Sequence, residues 1–222
     1  MNLNKLGEFF IPSDVTDKIH IIGCGAMGST LAELLTRVGL TNFVLYDFDK
    51  VTPHNISNQM FRHGDIGEPK VRALTEIITD INPLHKVEVR PEGWAPGTKL
   101  DGYVFLCVDD IELRKQIVTE NKYNPRIKAF FDFRMRLTDA QHYACDWQGG
   151  NKEAFLKTMQ FTHEEAKVAT PVSACGTTLS VAPTVRTIVS YGVSNLINFI
   201  KGNPIHHMIL IDAFHYMVDA YN

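Results

Sequence analysis

Apolar and polar positions along this 222-residue chain follow two periods, and each change of period marks an element. Lys18 to Ile22 is a short apolar run that ends in glycines. From Met27 the apolar residues Met27, Leu31, Leu34, Leu35 and Val38 recur at helical spacing until Gly39 closes the pattern. This predicts a strand, a tight turn and a helix. Asn42 to Tyr46 reads as the next strand, closing on Asp47-Phe48-Asp49. Together the pieces make a β-α-β unit of about 30 residues, the size of a crossover, so the sheet is predicted parallel here. Pro53 to Lys70 carries His, Asn, Gln and Arg with little apolar periodicity, which makes it a candidate for a site. A helix is expected from about Pro69 to Ile81, stopped by Asn82-Pro83. Strands follow at Val87 to Arg90, Tyr103 to Val108 and Ile127 to Phe133, with a helix from Ile111 to about Lys122 between the last two. Leu137 to Trp147 and Met208 to Val218 read as strands joined by short turns, flanking a long helix from Leu179 to Ile200 that Gly202-Asn203-Pro204 ends.

Composition narrows the class. With 45% hydrophobic residues, the chain suits one large α/β domain spanning 1–222. A net charge of -3, a pI near 6.3 and the lack of a long Lys/Arg run give no electrostatic footprint for nucleic acid and no polybasic membrane patch. Met1 to Lys18 lacks the basic flank and apolar stretch of a signal peptide, and no apolar run is long enough to span a bilayer, so a cytoplasmic protein is expected. The four cysteines, Cys24, Cys107, Cys145 and Cys175, form no C-x-x-C pair, which argues against structural zinc and, in a reducing compartment, against disulfides. His142 and the pair His206-His207 have no metal-ligand companion at i, i+4, and no zinc is expected.

The chemistry begins at Gly23-Cys24-Gly25-Ala26-Met27-Gly28. In a G-x-G-x-x-G turn between strand and helix, missing side chains let the backbone approach a phosphate, and the helix N-terminus presents unpaired N–H groups. Asp47 follows Gly28 by 19 residues, at the end of the second strand, where a carboxylate can hold both ribose hydroxyls. These features predict a Rossmann-like, doubly wound, mostly parallel sheet extended by antiparallel C-terminal strands. Taken alone, they fit an NAD- or FAD-dependent oxidoreductase as well as an ATP enzyme.

Further runs separate the two. Asp47-Phe48-Asp49-Lys50-Val51, Asn55-Ile56-Ser57-Asn58-Gln59, Asp65-Ile66-Gly67-Glu68-Pro69-Lys70-Val71, and Cys107-Val108-Asp109-Asp110 with Arg114 following occur in that order. This succession resembles the adenylation domain of the ThiF/MoeB/HesA family and of ubiquitin-activating enzymes, over roughly Ile21 to Gly202. The resemblance implies an adenylyltransferase that uses ATP and Mg2+ to activate the C-terminal carboxylate of a small ubiquitin-like protein or peptide, releasing pyrophosphate. It implies nucleotide contacts from Gly23, Gly25, Ala26, Met27, Gly28, Asp47, Asp49, Asn55, Gln59 and Lys70, with Lys70 on the triphosphate and Asp109 holding magnesium. Such roles suit the reaction, because a carboxylate attacking an α-phosphate brings two anions together and needs cations and a metal ligand around them.

The chain also departs from that family. Relatives usually carry a phosphate-binding arginine before the glutamine of this stretch, where this chain has Asn58. Arg62 and Arg134 are the candidates to restore the charge. The alternative is a non-catalytic ATP-binding relative or interaction partner. The runs His54-Asn55-Ile56-Ser57-Asn58-Gln59 and Phe131-Asp132-Phe133-Arg134-Met135 most resemble compact ThiF-like proteins of phages and plasmids. Cys175, before the long helix and after a polar segment, is a candidate thioester nucleophile, set against the plainer reading of a buried small residue. Cys24, Cys107 and Cys145 read as packing residues. The resemblance further implies a homodimer, in which a relative's N-terminal arginine reaches the partner's site; Met1 to Lys18 holds no arginine.

Overall fold

The computed structural model describes residues 1–169, 171–172 and 179–222. Its centre is β1 (Ile19–Ile22), β2 (Asn42–Tyr46), β3 (Lys86–Arg90), β4 (Gly102–Leu106) and β5 (Ile127–Met135). These pair in parallel in the order β3-β2-β1-β4-β5. β6 (Asp139–Asp146), β7 (Met208–Asp212) and β8 (Met217–Tyr221) then continue the sheet antiparallel to eight strands. The strand order reverses between β1 and β4, so this is the crevice where open α/β sheets take ligands. Every residue of β1 and β4 is buried, which explains why both read as unbroken apolar runs.

Helices cover both faces. On one lie α1 (Ala26–Arg37), α2 (Lys70–Ile81) and α6 (Ala182–Ile200); on the other α3 (Ile111–Glu120) and α4 (Lys152–Lys157). α1 packs between its two neighbours, with α2 toward β3 and α6 toward β5, β6 and β7. The apolar face of α6 is thus buried within this chain, on Val185, Ile188, Val189, Val193 and Leu196. Phe10 is buried, and Pro12 and Leu3 close on Gly39 beyond the C-terminus of α1, so the N-terminal segment caps the end of α1 away from the glycine turn. Among the described residues no helix is long and apolar enough to cross a membrane.

The long helix begins at Ala182, not Leu179; Val181 is extended and Pro183 occupies the first turn, where its missing N–H costs nothing. The second predicted helix likewise starts at Lys70, with Pro69 as its extended cap. The polar stretch before Thr170 holds two short helices that periodicity does not reveal, α4 and α5 (His163–Ala169). α4 is held by Phe155 and Met159 packing on Trp147 and Phe130 across the second core, too few apolar positions to make a pattern.

His142 lies wholly buried in β6, its ring stacked 4.7 Å from Phe133 and 5.9 Å from Phe131. Asn195 of α6 donates from Nδ2 to His142 Nε2 at 3.2 Å and ties down the backbone of His206. Burial pushes the His142 pKa down to about 4 from 6.5, partly opposed by Asp132. The unfolded chain therefore binds the extra proton first as pH falls, and the fold loses stability between pH 6.5 and about 4, by up to about 3 kcal/mol. Urea unfolding at pH 7 and pH 4.5 should show this loss, and His142→Gln should flatten it; an unchanged slope in the variant would contradict the assignment.

Candidate nucleotide site

The three glycines of the turn do different work. Gly23 has φ +95°, a conformation that favours glycine, and a Cβ there would lie 2.8 Å from the Cys107 carbonyl carbon. A Cβ on Gly28 would overlap the Gly23 carbonyl, so α1 can start against β1 only because that side chain is absent. Gly25 is different: a Cβ there would meet nothing nearer than Gln59 Nε2 at 4.0 Å. Gly23 and Gly28 close the fold, and Gly25 leaves the mouth of the turn open.

α1 has no side-chain cap, and its first internal bond runs from Ser29 N–H to Gly25 C=O at 2.9 Å. The N–H groups of Ala26, Met27 and Gly28 therefore point out of the helix unpaired among the described residues, as an anion site requires. Asp47 braces the turn from β2: its carboxylate accepts from Cys24 N–H at 2.7 Å and from Asp49 N–H at 2.8 Å. Burial raises the Asp47 pKa, against the pull of Lys70 and those two N–H donors.

Lys70 opens α2 and is buried, with Nζ 2.7 Å from Asp49 Oδ2; its N–H donates to the Asp49 carbonyl at 3.0 Å. The predicted cation and the acidic Asp47-Phe48-Asp49 stretch thus meet beside the glycine turn. The polar segment between them folds over α1. Asn55 accepts from Thr52 N–H at 2.8 Å and shapes a short 3-10 turn, Pro53–Ser57, while Met60 N–H donates to Ser29 Oγ at 3.1 Å. Gln59 is carried next to Gly25, with its Oε1 buried and unpaired among the described residues. An orphaned buried acceptor calls for a donor that protein groups here do not supply.

Asp109 follows β4 on the other side of the turn. The N-cap of α3 is its neighbour Asp110, which accepts from Glu112 and Leu113 N–H. Asp109 itself is exposed and unpaired among the described residues, so its carboxylate is free. The backbone that carries it is anchored: Arg114 Nη2 donates to the Val108 carbonyl, and Nη1 to Phe133 C=O at 2.7 Å and to the wholly buried Asp132 carboxylate.

Asn58, on the segment over α1, has no side-chain hydrogen bond among the described residues. The two arginines expected to compensate for it are occupied. Arg62 pairs with Asp80 at 2.7 Å, ten residues along α2 from Lys70 and so about 15 Å from the mouth. Arg134 donates to Asp132 at 2.7 Å and to the Thr158 carbonyl at 2.6 Å, with Tyr143 and Phe161 against its plane. Arg134 therefore clamps β5 to the end of α4, a role that its sequence neighbours give no sign of. Cys24 is buried with its pKa well raised by burial, and burial pushes Cys107 and Cys145 up to about 12; all three are packed, inert thiols. Cys175 lies outside the described residues.

The ThiF family profile matches residues 15–220. The chain belongs to the ThiF family. It is 32% identical to ubiquitin-like modifier-activating enzyme 5 of Drosophila willistoni over 117 residues, covering 45% of this chain and 29% of that protein. The enzyme of the same name from Caenorhabditis elegans is 27% identical over 147 residues, covering 66% of this chain and 33% of that one. The matched region thus spans about a third of these curated relatives. Among solved structures, PaaA superposes with a TM-score of 0.72 at 19% identity. Escherichia coli MccB with ATP gives a TM-score of 0.71 at 16% identity. Each of these covers 93% of this chain and 64% of the solved one. The likeness to PaaA and MccB is one of fold.

Because Gly28 touches the Gly23 carbonyl and Gly25 touches nothing close, their alanine variants should part. Gly28→Ala should lower unfolding free energy by about 3 kcal/mol or more through overpacking, while Gly25→Ala should stay within about 1 kcal/mol of the native protein. Equal losses in parallel urea titrations would contradict this division.

Proposed function

We propose that the chain, acting as a single adenylation domain, activates the C-terminal carboxylate of a small ubiquitin-like protein or peptide. In this reading the carboxylate oxygen bonds to the α-phosphorus of ATP, the bond from that phosphorus to the β-phosphate oxygen breaks, and pyrophosphate leaves. The observation that carries the reading is the pairing of two features across one turn. Lys70, held by Asp49 at 2.7 Å, stands on one side, and the free carboxylate of Asp109 stands on the other.

Each residue has a part. The N–H groups of Ala26, Met27 and Gly28 donate to a phosphate, Asp47 accepts hydrogen bonds from the ribose hydroxyls beside Cys24, and Gln59 offers its amide over Gly25. Lys70 exchanges Asp49 for phosphate oxygens and neutralises charge as the two anions approach. Asp109 fits magnesium: it is a hard, unpaired carboxylate beside a phosphate site, and magnesium commonly takes one or two carboxylates together with substrate phosphates. When bound there, magnesium would offset phosphate charge. Arg114 is a positioning residue that fixes the backbone carrying Asp109. Escherichia coli MccB, a relative in fold, has been solved with ATP and with MccA. Together with the ubiquitin-like modifier-activating relatives, this supports a peptide or ubiquitin-like carboxylate as the acceptor of AMP.

Exchange of labelled pyrophosphate into ATP, dependent on an added peptide or small protein with a free C-terminus, tests the proposal. Asp109→Ala and Lys70→Ala should each cut exchange about 100-fold or more, and a C-terminal amide should not support it. If the native protein binds ATP, no carboxylate supports exchange, and Asp109→Ala binds ATP equally well, the chain is a non-catalytic ATP binder.

A further inference from the structure

The mouth of the turn gathers three carboxylates, Asp47, Asp49 and Asp109, against one buried cation, Lys70, which is already shared with Asp49. A polyphosphate brought there adds further negative charge, so that beside any magnesium held by Asp109 a second cationic side chain is called for close by. Arg62, Arg114 and Arg134 are engaged with Asp80 or Asp132. Lys50 and Arg72 are exposed, but both lie beside Lys70: Lys50 bridges to Pro69, and Arg72 is on the outer face of α2.

Arg186 comes from the opposite side. It is the one charged residue in the 19 residues of α6. Thr184 Oγ1 donates to the Leu137 carbonyl at 3.0 Å, which fixes the first turn of α6 at the end of β5, on the sheet edge that carries the site. Two residues on, about 200° round the helix, Arg186 turns away from that contact and is exposed. Its Nη2 lies 3.7 Å from the Met60 sulfur, and Met60 is pinned to Ser29 near the start of α1. A thioether is a weak acceptor, and Arg186 has no carboxylate partner among the described residues. Lys70 and Arg186 therefore stand near the opening turns of the two helices that flank α1. At 8–10 Å per helix pair their backbones are about 16–20 Å apart, a gap that two long side chains can close around a polyphosphate.

We propose that Arg186 binds the β- and γ-phosphates of the nucleoside triphosphate from α6, opposite Lys70, as the second cationic side chain of the site. The proposal rests on reading the turn as an ATP site. Calorimetry with ATP and AMP on the native protein, Arg186→Met and Arg186→Lys tests it. Arg186→Met, which keeps the aliphatic contact with Met60, should weaken ATP binding about 10–100-fold, leave AMP binding within about twofold and leave the melting temperature unchanged. Arg186→Lys should recover part of the loss. If the native protein binds ATP and Arg186→Met binds it equally, or loses AMP to the same extent, Arg186 has no phosphate role while the ATP reading stands. If the native protein binds no ATP, both fail.

Discussion

The contact between Gly28 and the Gly23 carbonyl sets the distance at which α1 leaves the sheet, and the rest of the site follows from it. With no side chain at either position, α1 starts directly above β1, and the segment leaving β4 crosses the turn within 2.8 Å of where a Gly23 Cβ would be. That closeness brings the unpaired N–H groups of α1, the Asp47 carboxylate and Asp109 to one edge of the sheet. A helix held further off by a methyl group would separate these three, whatever their identities.

Around that contact the charged residues divide into those that build and those that remain free to act. Arg114, Asp132 and Arg134 form a buried group that joins the exit of β4, the end of β5 and the end of α4. Removing one partner from such a group costs several kcal/mol because it strands a buried charge, so these arginines are structural members and not spare cations. At the mouth, by contrast, Asp109 is free, Lys70 is held by a half-exposed aspartate that it can leave, and Gln59 keeps an unmet acceptor. A rigid frame under a mouth of unsatisfied groups is the arrangement expected of a preformed polar ligand site.

Much of this was legible in the chain itself. The β-α-β unit and the gathering of Gly23, Gly25, Gly28 and Asp47 at one turn are written within 30 or so residues by hydrophobic period and turn chemistry, whereas the separate parts of the three glycines and the brace that Asp47 gives to Cys24 N–H are not. The order of motifs from Asp47 to Arg114 was enough to point to the family whose profile matches residues 15–220. What stayed hidden depends on distant partners. Nothing near Arg62 announces Asp80, and nothing near Arg134 announces the Thr158 carbonyl. The short helices α4 and α5 rest on few apolar contacts and leave no periodic trace. Arg186 could have been noticed as a single charge in an otherwise uncharged helix, but only the packing of α6 on α1 gives that charge an address.

On the proposed function, this turn takes a nucleoside triphosphate and not a dinucleotide. Calorimetric titration of the native protein and Lys70→Met with Mg-ATP and with NAD tests it most directly. Mg-ATP should bind, Lys70→Met should weaken that binding by an order of magnitude or more, and NAD should give no measurable heat. Binding of NAD in preference to ATP, or ATP affinity indifferent to Lys70, would contradict it.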